Sequence, residues 1–230
     1  MKAFLLAAGN GTRLRPITDR IPKCLVEIQG KPLLGIWFDL LRRYGVREIL
    51  VNVHAHTITV REYVREHSQG LIVDILEEPE LLGSAGTIVA NRDWLGSEQD
   101  FLVLYADVLT NLNLEKMLRF HLTRRAAATL GVYAAMNPEQ CGITVVDING
   151  IVRQFVEKPR HPPCNLAFSG VLIGTPTLLD SIPARIPADL GFDVLPRLVN
   201  QMVAYRIKEF LLDIGTPENH RLAQLTWPGI

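Results

Sequence analysis

Short apolar runs alternate with segments of helical spacing through the first 133 residues, and that alternation admits few folds. Strands are predicted at "KAFLLA" (2–7), "EILVNV" (48–53), "LIVDILEE" (71–78), "FLVLY" (101–105) and "AATLGVY" (127–133). Between them, "PLLGIWFDLLRRYG" (32–45) reads as a helix with Pro32 in its first turn and Gly45 at its stop. "TVREYVREH" (59–67) reads as a helix opened by a Thr59/Glu62 capping box. Further helices are expected from Ser84 to about Trp94 and over 113–125. "FLVLY" has no polar position, as a central strand covered on both faces requires. The pattern predicts an α/β fold with a doubly wound, mostly parallel sheet.

The second half changes character. Residues 142–159 read as two strands joined at Asn149-Gly150, the dipeptide suited to a two-residue type I′ turn. "LAFSGVLIG" (166–174) is a further strand, and "PTLLDSI" and "FDVLPRLVNQM" are helical, the latter bent at Pro196. "AYRIKEFLLD" (204–213) is predicted as one last strand before a closing helix over 217–225. With no repeat, low-complexity tract or linker, residues 1–230 are expected to form a single domain. Its parts would be about 1–135, a hairpin-rich region over about 136–212, and the closing helix.

Composition excludes several functions. Lysines and arginines number 24 and so do aspartates and glutamates, leaving no general basic field to hold a nucleic acid. The three cysteines, Cys24, Cys141 and Cys164, lack C-x-x-C spacing, which fits a reducing compartment and argues against zinc. The opening "MKAFLLAAG" is strand-sized and runs directly into glycines and arginines, unlike a signal peptide. No stretch approaches the roughly 18 apolar residues of a membrane span, so a cytoplasmic location without a membrane partner is expected.

Cations are instead concentrated in one loop. "LLAAGNGTRLRPITDRIPKCLV" (5–26) places Gly9, Gly11, Arg13, Arg15 and Lys23 directly after the first strand. In open α/β sheets ligands bind at the carboxyl ends of strands, and glycines let backbone amides approach an anion. A dinucleotide fingerprint would require glycine where Leu14 stands, and the P-loop pattern is absent. Residues 5–34 closely resemble the opening of the sugar-1-phosphate nucleotidylyltransferases, and "DVLPRLV" and "EPELLGSAG" look most like the short mannose- and heptose-1-phosphate guanylyltransferases. The likeness continues almost to the C-terminus. It implies a Rossmann-like nucleotide-binding region and a hairpin-rich sugar-binding subregion. No appended C-terminal β-helix or helical domain is expected.

The resemblance implies a set of roles. Arg13 would face the pyrophosphate leaving group and Lys23 the α-phosphate. Leu6, Ala7, Ala8, Gly9, Gly11 and Thr12 would line the nucleotide. In "EEPELLGSAGTI" (77–88), Gly83 and Ser84 would do the same, although Ser84 also reads as a plain N-cap. Asp107, directly after "FLVLYA", and Asp213, in "FLLDIGTPENH", would hold Mg²⁺, since a triphosphate site requires a divalent cation on one or two carboxylates. In "FVEKP", Glu157 would bind sugar hydroxyls and Lys158 the sugar phosphate. Gly142 and Gly170 would let the sugar lie against backbone, with Asn165 and Ser169 as weaker contacts. Ala106 and Cys141 depart from the family pattern, which commonly has glycine and an aromatic there.

Other constellations have plainer readings. His54-x-His56 lacks a third ligand in sequence, and Trp37, Phe38, Leu40 and Leu41 read as a packed helix face. Asp147 reads as a turn residue. The implied reaction joins a nucleoside triphosphate and a sugar 1-phosphate with release of pyrophosphate. GTP with mannose or heptose 1-phosphate is the expected pair, acting alone or as a homo-oligomer. The alternatives are a uridylyltransferase for N-acetylmuramate 1-phosphate, a cytidylyltransferase for phosphocholine, and a non-catalytic sensor.

Overall fold

A computed structural model describes residues Met1–Ile230. Along the chain the elements run β1 (Ala3–Leu6), β2 (Glu27–Ile28), β3 (Lys31–Pro32), α1 (Leu33–Arg43), β4 (Glu48–Val53), α2 (Thr57–His67) and β5 (Ile72–Glu77). There follow α3 (Ser84–Ala90), β6 (Phe101–Tyr105), β7 (Val108–Thr110), α4 (Leu114–Arg124), β8 (Ala128–Ala134), β9 (Gly142–Val146) and β10 (Val152–Glu157). The chain closes with β11 (Leu166–Gly174), α5 (Pro176–Asp180), β12 (Met202–Arg206), β13 (Leu211–Asp213) and α6 (Pro217–Thr226). Two compact units emerge, the first of Met1–Leu81, Leu104–Leu112 and Glu209–Ile230, the second of Leu82–Val103 and Asn113–Lys208.

In the first unit β1 pairs in parallel with β4, and β4 with β5, Leu6 lying opposite Asn52 and Val53 opposite Glu77. β4 is buried at five consecutive positions, as a strand covered on both faces must be. A short antiparallel ribbon sets Asp213 of β13 against Val108 of β7. Beneath the glycine loop, Leu14, Val26, Leu33, Leu109, Ile214 and Trp227 share one apolar cluster. Leu14 is thus the loop's anchor, fully buried where a dinucleotide fingerprint would need glycine.

In the second unit β11 runs antiparallel to β8 and β9, β9 antiparallel to β10, and β12 parallel to β8. This hairpin-rich composition agrees with the pattern of the second half. No helix is long and apolar enough to cross a membrane.

Four local expectations are corrected. α2 starts at Thr57 after a left-handed His56, so Thr59 lies inside the helix and caps nothing. At the β9–β10 connection only Gly150 of the Asn149-Gly150 pair has positive φ, which excludes a type I′ turn. Asp147 organises that loop, its Oδ1 accepting from the amides of Asn149 and Ile151. The segment around Pro196 is a π-helical turn (Leu190–Val194) followed by a 3-10 turn (Leu195–Leu198), not one bent α-helix. Finally, 204–213 is two strands in different units, because β12 pairs with β8 while β13 pairs with β7.

Candidate active site

In the first unit, β1 delivers the chain into the loop and the Leu6–Ala7 peptide is pinned on both sides. The Leu6 carbonyl accepts from the Ala106 amide at 3.0 Å, and the Ala7 amide donates to Asn52 Oδ1 at 2.7 Å. Asn52 in turn donates to Glu78 Oε1 at 2.9 Å, both side chains being buried. Leu6 and Ala7 therefore have their shared hydrogen-bonding groups engaged within the protein. Beyond them Gly9 is exposed, while Gly11 turns the chain at φ 63° and its carbonyl accepts from Thr18 Oγ1 at 2.7 Å. Thr12 and Arg13 then enter a single 3-10 turn that Leu14 fastens to the core.

Four of the expected residues converge there. Lys23 Nζ meets Asp107 Oδ2 at 2.5 Å, with side chains 10% and 29% exposed. The β7–β13 register carries Asp213 beside Asp107, and the Ile214 amide donates to the Asp107 carbonyl at 2.9 Å. The Arg13 guanidinium lies against Gly215, where an added Cβ would stand 3.0 Å from Nη2. Burial, and then the charge of Asp107, push the Asp213 carboxyl above its ordinary range, while Lys23 and Arg13 pull it down. Two neighbouring half-buried carboxylates form a donor set that suits a hard divalent cation completed by substrate oxygens. Cys24, next to Lys23, is buried and its thiol pushed up to about 12, so it offers no thiolate.

In the second unit two of the expected sugar residues, Gly142 and Lys158, lie beside Glu157. Gly142 and Gly191 both lie against its carboxylate; a Cβ on Gly142 would stand 2.5 Å from Oε2, and one on Gly191 would collide with the same atom. Burial pushes the Glu157 carboxyl up, opposed by Lys158 and reinforced by Asp189. Lys158, 58% exposed at its side chain, is left-handed at φ 47° and lies 3.8 Å from Glu157 Oε1. Gly170 sits where β11 slips register against β8, and Asn165 is exposed, its carbonyl receiving the Ala135 amide. Ser169 turns inward instead, buried and accepting from the Val171 amide at 3.2 Å.

Gly83 is the N-cap of α3, in place of Ser84. The Ser84 hydroxyl donates to Asp189 Oδ2 and accepts from the Leu190 amide, each at 2.8 Å. The Ala85 and Gly86 amides go to the Ala188 carbonyl. Sequence reasoning missed Asn52, Glu78, Asp189 and Gly191. Asn52 and Glu78 stand at or just beyond strand ends, the one local signal that could have drawn attention to them. His54 Nδ1 pairs with the Glu78 carbonyl at 2.7 Å, and His56 is the left-handed residue that precedes α2.

The sequence profile described as "Nucleotidyl transferase" matches residues 2–226. The chain belongs to the nucleotidyl transferase family. Among curated relatives, the probable mannose-1-phosphate guanylyltransferase 2 of Oryza sativa subsp. japonica is 31% identical over 96% of this chain and 63% of its own length. The mannose-1-phosphate guanylyltransferase catalytic subunit beta of Xenopus tropicalis is 32% identical over 95% of this chain and 62% of its own. The chain thus spans less than two thirds of the length of those relatives. Among solved structures, HddC from Yersinia pseudotuberculosis, complexed with GMP-PN, superposes with a TM-score of 0.82 at 25% identity, covering 97% of this chain and 98% of that one. A putative glucose-1-phosphate thymidylyltransferase from Bacillus anthracis reaches a TM-score of 0.87 at 19% identity, over 98% of this chain and 94% of its own, a likeness of fold.

Proposed function

We propose that this nucleotidyl transferase joins a nucleoside triphosphate to a sugar 1-phosphate, forming a nucleoside diphosphate sugar and pyrophosphate, with GTP and mannose 1-phosphate as the preferred pair. The observation that carries the reading is the meeting of Arg13, Lys23, Asp107 and Asp213 in the first unit. The guanylyltransferase names of the curated relatives, and the GMP-PN held by HddC, favour a guanine nucleotide.

An oxygen of the sugar 1-phosphate attacks the α-phosphorus in line, its new P–O bond forming as the bond to pyrophosphate breaks. The nucleophile is already an anion, so the chain needs neither a general base nor a covalent nucleophile, and the buried Cys24 is consistent with that. The chain's task is electrostatic positioning. Lys23 has three donors, of which the bond to Asp107 uses one, leaving the others for the α-phosphate. Arg13 receives charge on the departing pyrophosphate. Lys158 holds the sugar phosphate, and the Glu157 carboxylate accepts from sugar hydroxyls. Asp107 and Asp213 would hold Mg²⁺, which supplies positive charge to the triphosphate when bound. The three free thiols fit a reducing cytoplasm.

The test is pyrophosphate release with Mg²⁺ across a grid of nucleoside triphosphates against sugar 1-phosphates and phosphocholine. The expected outcome is turnover of GTP with mannose 1-phosphate. Turnover with phosphocholine alone would reassign the enzyme as a cytidylyltransferase-like protein, and silence across the grid from folded protein would refute the reading.

A further inference from the structure

The turn that follows Asp189 holds a large aromatic ring out into water. Phe192 is 59% exposed, although Leu190, Val194 and Leu195 around it are fully buried. Its backbone is held firmly: Asp189 Oδ1 accepts from the amides of Gly191 at 2.8 Å and Phe192 at 3.1 Å. Asp193 Oδ2 accepts from the Asp189 amide at 2.8 Å, and Arg185 pairs with Asp193. The ring's exposure is therefore set by a rigid turn. One exposed phenylalanine is ordinary by itself. What distinguishes this one is its company: Lys158 Nζ lies 5.9 Å from the ring centroid, and the adjacent Gly191 packs on the Glu157 carboxylate.

We propose that Phe192 is the platform on which the acceptor's sugar ring rests, selecting a pyranose by its apolar C–H face. The inference rests on the reading of Glu157 and Lys158 as the sugar-phosphate site. A hexose 1-phosphate presents three chemistries, and this patch offers a partner for each. The Lys158 ammonium takes the phosphate, the Glu157 carboxylate takes hydroxyl protons, and an aromatic face takes the C–H face that neither can hold. Lys158 is a point charge on a flexible stem, so it can leave the ring for a bound phosphate and uncover the face it lay over. A quaternary ammonium would also accept an aromatic face, but its recognition uses a cage of several rings, and one ring is what this turn supplies.

The experiment compares Phe192→Ala, Phe192→Leu and Phe192→Tyr in steady-state turnover of GTP with mannose 1-phosphate. Phe192→Ala should raise KM for mannose 1-phosphate about tenfold, with KM for GTP within twofold of wild type. Phe192→Tyr should restore it and Phe192→Leu should not, because Leu keeps apolar area without an aromatic face. Thermal unfolding of each variant checks that it folds. If wild type is active and Phe192→Ala keeps its KM, or Phe192→Leu rescues as well as Phe192→Tyr, the platform role is overturned alone. A larger loss with phosphocholine than with mannose 1-phosphate also overturns it. A wild-type protein that turns over no sugar 1-phosphate overturns the proposed function and this inference with it.

Discussion

Replacing Lys23 by Met removes one charge from the centre of the first unit and keeps most of the side chain's bulk. At the 2.5 Å separation from Asp107, and with an effective dielectric near 20, the two charges attract by roughly 6–7 kcal/mol. Desolvation of both groups and the 29% exposure of Asp107 cancel most of that. Lys23 also opposes the charge of Asp213, so its loss leaves two carboxylates with Arg13 as their remaining cation in that cluster. We expect a net loss of about 2 kcal/mol, which for a chain of this size lowers the melting temperature by about 4–8 °C. A double-mutant cycle with Asp107→Asn isolates the pair, and a coupling of about 1–3 kcal/mol is expected. Turnover should fall at least a hundredfold in Lys23→Met, since a cation placed for the α-phosphate is gone. Strictly additive melting shifts would refute the electrostatic argument, whatever happened to activity.

Two further outcomes follow from the same unit. The folded Asp213 binds a proton more tightly than the unfolded chain does, so stability falls as pH rises from the ordinary carboxylate range through its raised pKa, and the cost is fully present above it. Asp213→Asn should therefore melt higher than wild type at pH 7, show a flatter stability profile over the acidic range, and lose turnover; a pH profile unchanged from wild type would contradict the burial argument. Asn52→Ala takes away the partner of the Ala7 amide, which should cost about 1–3 kcal/mol and raise KM for the nucleotide while KM for the sugar 1-phosphate holds. Equal rises in both would mean that Asn52 supports the fold in general and not the nucleotide loop.

Much of the architecture was legible in the chain. Glu48–Val53, Phe101–Tyr105 and Leu166–Gly174 have the predicted boundaries, because each is a mostly apolar run of strand length. The glycine loop was legible for a different reason: several cations and glycines directly after a buried strand have few structural uses. What failed was local detail with more than one local solution. Thr59 and Glu62 have capping-box spacing, yet the helix begins at Thr57, because a left-handed His56 already ends the preceding segment. Ser84 looked like an N-cap, but Gly83 holds that position and the Ser84 hydroxyl is engaged by Asp189 and Leu190, more than 100 residues away.

By itself, then, the sequence determined the order of the main strands and helices of the first half, missing the short β3 and β7, and the chemistry on offer: two aspartates, a lysine and an arginine. Periodicity is a local property and was enough for the elements, whereas picking Asp213 out from a plain turn residue took the resemblance to the sugar-1-phosphate nucleotidylyltransferases. Only the tertiary structure decided which carboxylates meet. Residues 204–213 have strand character throughout, but nothing local says that Met202–Arg206 pairs with β8 while Leu211–Asp213 pairs with β7. That second pairing sets Asp213 opposite Val108 and so beside Asp107, and the half-buried charge of the pair exists because of it. The Glu157 carboxylate, likewise, lies between Gly142 and Gly191, which approach it from distant parts of the chain. Register and close approach depend on partners far away in sequence, and a single chain's residue pattern does not encode them locally.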